Sequence, residues 1–297
     1  MTDTIILAQS LTKNYGSVQA LRGVDLEVRK GEIFGFLGPN GAGKTTTIRC
    51  MLDMIRPNGG TLRVLGLDPQ KEPVAVQART GYLPGEFAFE GRLTVEGALK
   101  YLASLRGDNF DWGFVKKLAE RLDLDLKPQF KNLSKGNKQK VGVVQALMHR
   151  PELLLLDEPT AGLDPLVQQE VLKLVREANE NGTTVFFSSH ILSEVQEIAG
   201  RVGIIRRGVV VETAGVQELI QKSLRRLRVR FAAPVADGAL GQIPGVSILS
   251  QDETSVSIQI EGEMDALVKA LAKYPVQDLE SERPSLEEIF MAYYEEE

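Results

Sequence analysis

Cysteine is nearly absent from this 297-residue chain. The one present, Cys50, has no partner within the chain, so no internal disulfide can form. Such usage fits a reducing compartment. Long apolar runs are missing as well. No stretch approaches the ~20 residues that a membrane-crossing helix needs, and the first residues lack the basic and apolar pattern of a secretory signal. Work at a membrane would therefore need another chain to supply the spanning part. Positive charge is also in short supply: 35 Lys and Arg stand against 40 Asp and Glu, for a net charge of −5. General attraction to nucleic acid is excluded on that count, although a local basic patch is not. There is no internal repeat and no low-complexity tract. Histidine occurs only twice, at 149 and 190.

What is present begins with a glycine-rich run, Gly38-Pro39-Asn40-Gly41-Ala42-Gly43-Lys44-Thr45. It fits the template G-x-x-x-x-G-K-[ST] at every fixed position. Glycines let the backbone turn tightly so that successive N–H groups point at phosphate oxygens. Lys44 adds a mobile positive charge for the terminal phosphates, and the Thr45 hydroxyl is placed to ligate Mg²⁺. Ile33 to Leu37 reads as a buried strand entering the loop, and Thr46 to Ile55 as the helix leaving it. These residues predict nucleoside triphosphate binding.

The surrounding pattern predicts an α/β fold, a P-loop NTPase core followed by a small C-terminal α+β domain. Residues 1 to about 30 read as paired strands, with a further short strand at Thr61 to Leu65 after a Pro57-Asn58-Gly59-Gly60 turn. From about 85 to 150 the pattern is helical, an inserted subdomain. Strand signals return at Leu153 to Leu156 and Thr184 to Phe187. Between them Asp164-Pro165 opens a helix whose apolar face is Val167, Val171, Leu174, Val175 and Ala178. Alternating buried strands and helices imply a mostly parallel sheet covered on both faces. The first domain is read as 1–222 and the second as 223–297. Strands at Leu227 to Phe231 and Ser255 to Ile260, a helix near Glu263 to Lys273 and a capping box at Ser285 to Glu288 make up the second.

Two acidic residues follow the Leu153 to Leu156 strand. Asp157 is placed to anchor Mg²⁺, and Glu158 to orient or deprotonate an attacking water. His190 ends the next strand and is a second catalytic candidate. His149, beside Arg150-Pro151, reads as an exposed helix terminus.

Taken together, these residues resemble the ATP-binding subunit of an ABC transporter over about residues 4 to 220. Leu133-Ser134-Lys135-Gly136-Asn137-Lys138-Gln139-Lys140 is similar to the family's LSGGQ signature. Asp157-Glu158-Pro159-Thr160-Ala161-Gly162-Leu163-Asp164 matches its Walker B and D-loop run. Ser189-His190 matches the switch histidine, and Tyr15 matches the aromatic that stacks on adenine. The resemblance implies ATP and Mg²⁺ as cofactors, with nucleotide contacts from Tyr15, residues 38–46 (Thr46 included), Ser134 and Gly136. It also implies a head-to-tail dimer in which each ATP lies between one subunit's loop and the other's signature.

Two departures from the family pattern stand out. Lys135 and Asn137 replace the usual glycine and glutamine of the signature, a variation found in members paired with ABC-2 permeases of the drug- and antibiotic-exporter type. An ABC-2 permease and the cytoplasmic face of the cell membrane follow as expected partner and place, with no nucleic acid. The second departure is Gly85-Glu86, which stands where a glutamine normally follows Gly81-Tyr82-Leu83-Pro84. Glu86 is the candidate replacement near the metal, and an ordinary surface carboxylate is the alternative. The tail resembles C-terminal extensions of the same subtype, either a dimerisation or regulatory element or a stabilising appendage. A rival class, ABC ATPases acting on ribosomes or DNA, usually carries two modules or a long coiled-coil arm. A regulatory ATP binder without turnover would need Glu158 or His190 to be missing. Neither description fits this sequence.

Overall fold

Alternating apolar residues form two long antiparallel strands, β1 (Thr4–Tyr15) and β2 (Val18–Arg29). The computed structural model describes residues 4–89, 92–107, 111–222, 225–235, 240, 243–260 and 264–282. Five consecutive buried residues make β3 (Ile33–Leu37), which leads through the glycine-rich loop into α1 (Lys44–Met51). The next strand, β4 (Gly59–Val64), pairs with β1 to complete an antiparallel sheet ordered β2–β1–β4. Gly59 and Gly60 were expected in a turn and instead lie inside β4. Close approach explains this: a Cβ on Gly60, whose φ is +86°, would stand 2.4 Å from the Ser10 carbonyl oxygen. Only glycine fits there.

After α2 (Pro73–Ala78) comes β5 (Thr80–Leu83), too short for its periodicity to mark it in the sequence. The helical stretch holds α3 (Val95–Ser104), α4 (Trp112–Arg121) and α5 (Lys135–Leu147). Each has a side-chain cap: Thr94, Asp111 and Ser134 accept from the N–H of Gly97, Phe114 and Asn137.

Strands and helices then alternate as expected: β6 (Leu153–Asp157), α6 (Pro165–Glu180), β7 (Thr184–Ser189), α7 (Leu192–Ile198), β8 (Arg201–Arg206) and β9 (Val209–Gly215). The second sheet is ordered β5–β6–β7–β3–β8–β9, with β5, β6, β7, β3 and β8 parallel. Parallel register brings the carboxyl ends of β3, β6 and β7 to one edge, pairing Leu37 with Ser189 and Asp157 with Ser188. In open parallel sheets, ligands bind at that edge. In the core Phe186 stacks on Phe34 and lies tilted against Phe36.

Contacts divide the chain into two compact units, Met1–Ala214 and Gly215–Glu297, a division ahead of the 222/223 boundary drawn from composition. The second unit holds α8 (Val216–Lys222), β10 (Arg225–Phe231), β11 (Val246–Gln251), β12 (Ser255–Ile260), α9 (Asp265–Leu271) and β13 (Val276–Glu282). Its antiparallel sheet, β11–β12–β10–β13, buries Leu227, Val229, Phe231, Val256, Ile258 and Ile260 on one face. The helix expected from Ser285 onward lies outside the described residues.

Candidate nucleotide site

The loop between β3 and α1 encloses a cleft of about 130 Å³ lined by Ala20, Pro39, Asn40, Gly41, Gly43, Lys44, Thr45, Thr46 and Glu158. Gly43 caps α1 with a φ of +115°, and a Cβ there would stand 2.8 Å from the Ala20 carbonyl oxygen. The first-turn amides of α1 have no acceptor within the helix, so they and the helix dipole are turned toward whatever fills the cleft. Gly38 and Ala42 complete the loop, Gly38 N–H donating to Ser189 O and Ala42 N–H to Pro39 O. Lys44 is buried, and its Nζ donates to the carbonyls of Gly38 at 2.6 Å and Pro39 at 3.2 Å.

Three groups from separate strands and helices meet here, Thr45 coming from a segment more than a hundred residues before the other two. Thr45 Oγ1 donates to Asp157 Oδ2 at 2.7 Å, and Ser188 Oγ donates to Asp157 Oδ1 at 2.5 Å. Asp157 is almost fully buried, and among the described residues no ion pair neutralises it. Its charge reaches Tyr82, whose phenol is pushed up first by burial and then by the Asp157 carboxylate. A buried carboxylate held only by hydroxyls, beside a threonine oxygen, offers the hard oxygen donors that Mg²⁺ prefers. The site therefore fits that ion.

Glu158 Oε1 lies 3.4 Å from Lys44 Nζ and 3.2 Å from His190 Nδ1. The backbone of Glu158 has a φ of +52°, a left-handed conformation that is uncommon outside glycine and clusters at functional sites. Its N–H donates to Ser188 O at 3.1 Å, and Gln139 Nε2 from α5 donates to its carbonyl at 3.1 Å and to that of Pro159 at 3.2 Å. Ser188 and Gln139 were not singled out in the sequence. Ser188 is separated from the histidine only by Ser189, and Gln139 lies within the signature run, where nothing local ties it to Glu158.

Other candidates lie off this cleft. Ser134 caps α5, and a Cβ on Gly136 would stand 2.9 Å from Gly162 O, so the signature packs on the run after Glu158 without lining the cleft. Tyr15 is half-exposed at the end of β1, opposite Val18, with Lys13 Nζ 5.3 Å from its ring centroid. Glu86 is exposed. The residue of that segment lying against Asp157 is Gly85, where a Cβ would be 3.4 Å from Oδ2. His149 is not the exposed terminus expected. Both its nitrogens are buried without a hydrogen-bond partner, and desolvation, with Arg106 adding to it, pushes its pKa down to about 4.

Known proteins resemble this chain in sequence and fold. The family described as ABC transporter matches residues 21–161, and the ATP-binding protein DrrA1-3-like, C-terminal domain matches residues 215–294. The bacitracin transport ATP-binding protein BcrA of Enterococcus faecalis is 38% identical over 221 residues, covering 74% of this chain and 72% of its own. The daunorubicin/doxorubicin resistance ATP-binding protein DrrA of Streptomyces peucetius is 33% identical, covering 97% of this chain and 91% of its own. The linearmycin resistance ATP-binding protein LnrL of Bacillus subtilis is 30% identical and covers 97% of both chains. A solved ATP-binding subunit of an ABC transporter matches with a TM-score of 0.67 at 27% identity, over 72% of this chain and 91% of that one. With its loop, carboxylates and histidine drawn to one sheet edge, this chain belongs to the ABC transporter family as an ATP-binding subunit, an ABC-type ATPase with a DrrA-like C-terminal domain.

Proposed function

We propose that this chain is the motor subunit of an exporter of drug or antibiotic type, working at the cytoplasmic face of the membrane through a separate ABC-2 permease. Among the described residues no helix is long and apolar enough to cross a membrane, so the spanning part would come from that partner. The names of three relatives, which concern bacitracin, daunorubicin or doxorubicin and linearmycin, support the cargo class.

The observation that carries the reading is the Glu158 contact with both Lys44 and His190 in a cleft that the chain's own signature does not line. Lys44 would leave the Gly38 and Pro39 carbonyls for the terminal phosphate oxygens. Loop amides and Thr46 would hold the phosphates, and Tyr15 would stack on adenine. Thr45 and Asp157 would hold Mg²⁺, which when bound neutralises charge on the phosphates. Glu158 would take a proton from the attacking water, with His190 positioning the carboxylate. Ser134 and Gly136, at the N-terminus of α5, would face the terminal phosphate of a second copy's nucleotide. ATP would thus close a homodimer and hydrolysis reopen it, which can move an attached permease.

The test is co-expression with a candidate ABC-2 permease. Recovery of a complex, and antibiotic resistance lost on Glu158→Gln, is the expected outcome. Absence of any membrane partner under crosslinking would contradict the reading.

A further inference from the structure

Glu194 is a buried carboxylate to which the proposed chemistry gives no task. It lies on α7, just after the histidine strand, is 6% exposed, and forms no ion pair among the described residues. Burying a carboxylate costs free energy unless hydrogen bonds satisfy it. Both of its oxygens are satisfied by hydroxyls: Thr160 Oγ1 donates to Oε1, and Ser189 Oγ donates to Oε2 at 2.7 Å. Ser189 Oγ also accepts from the N–H of Ile191 at 2.9 Å, so the hydroxyl braces both sides of His190. Thr160 and Ser189 are each 2% exposed, which shields both bonds from water.

These two hydroxyls belong to different functional segments. Thr160 follows Glu158 in the run that packs against Gly136 of the signature, and Ser189 precedes His190 on β7. We propose that Glu194 is a positioning residue that ties the run after Glu158 to the strand end carrying His190, and so sets the 3.2 Å contact between His190 and Glu158. The inference rests on the proposed hydrolytic role of that pair. It adds a path by which displacement of the signature and its neighbouring run reaches the histidine: Gly136 to Gly162, Thr160 to Glu194, Ser189 to His190. Glu194 is buried and does not line the nucleotide cleft, so its removal acts on turnover and not on binding. A buried carboxylate between two rigid elements suits this task, because its two oxygens fix the separation of both donors.

Steady-state ATP hydrolysis by the purified full chain tests the proposal through variants that conserve shape. Glu194→Gln and Thr160→Val lower kcat about tenfold or more, as misplacement of a catalytic contact does, while KM stays within about twofold. Thr160→Ser, which keeps the hydroxyl, retains close to wild-type kcat. His190→Ala costs far less in the Glu194→Gln background than in the wild type, since the contact is already loosened. Unchanged kcat in both Glu194→Gln and Thr160→Val overturns the proposal. So does a Thr160→Ser variant as slow as Thr160→Val, or a parallel fall in kcat, ATP affinity and melting temperature. If Glu194→Gln does not fold, the Val and Ser pair at 160 decides alone. A wild-type chain that hydrolyses no ATP overturns the function itself, whereas active wild type with indifferent variants overturns only the role of Glu194.

Discussion

Lys44 illustrates how a single residue is held ready for its ligand. Its ammonium is buried and rests on two carbonyls and the Glu158 carboxylate, so a phosphate that replaces them meets a cation already held in place at the cleft. Hydrogen bonds to a charged partner contribute about 1.5–3 kcal/mol, so Lys44→Ala should raise the Kd for ATP roughly ten- to hundredfold. Isothermal titration of the purified chain checks this, and unchanged affinity would remove the loop from binding. Lys44 was legible because its motif is contiguous, whereas its contact with Glu158 joins residues far apart in the sequence. His149 was misread for the opposite reason. Its neighbours Arg150 and Pro151 signal a helix end, yet both ring nitrogens are buried, and desolvation is the main cause of the lowered pKa. Its folded pKa of about 4 lies below the ordinary 6.5, so the unfolded chain binds the extra proton between those values. Stability that the neutral ring permits above pH 6.5 is lost as the pH falls toward 4. Melting curves across that window should fall less steeply for His149→Leu than for the wild type. Equal slopes would show that the ring is solvated.

At the scale of elements, α5 couples two tasks. Its N-terminal cap Ser134 lies in the signature, and its second turn sends Gln139 to the backbone of Glu158. Ser134→Ala removes the cap, which costs about 1 kcal/mol of helix stability. Nucleotide binding to the monomer should survive, because Ser134 does not line the chain's own cleft, while the ATP-bound dimer should weaken. Equilibrium sedimentation with ATP separates the two effects, and a dimer of unaltered affinity would exclude the signature from the interface. Elements with one clear apolar face or an unbroken apolar run were readable in the sequence: α6, β6 and β7 fall where expected. The four residues of β5 show neither, and β8, β9, β11 and β13 passed unmarked. Gly59 and Gly60 have the composition of a turn, but the nearness of the β1 backbone recruits them into a strand.

For the whole molecule, the governing feature is that the signature does not line the cleft of its own chain. One chain supplies loop, carboxylates and histidine, while its own signature is directed elsewhere, so turnover by the proposed route requires two copies. The DrrA-like domain was legible as a separate α+β unit from its change of pattern near residue 223, although contacts place the division at Ala214/Gly215. In the proposed cycle ATP closes a dimer, and hydrolysis assisted by the Glu158 carboxylate reopens it. Glu158→Gln keeps the shape of the side chain and removes its basicity, and general-base assistance is worth about 10²–10⁴-fold in rate. The most direct measurement is size-exclusion chromatography of Glu158→Gln and wild type with ATP and Mg²⁺, with released phosphate assayed on the same samples. The variant should elute as a stable nucleotide-bound dimer with hydrolysis nearly abolished, while the wild type returns to monomer. A variant that hydrolyses ATP at the wild-type rate and elutes as a monomer would contradict the account.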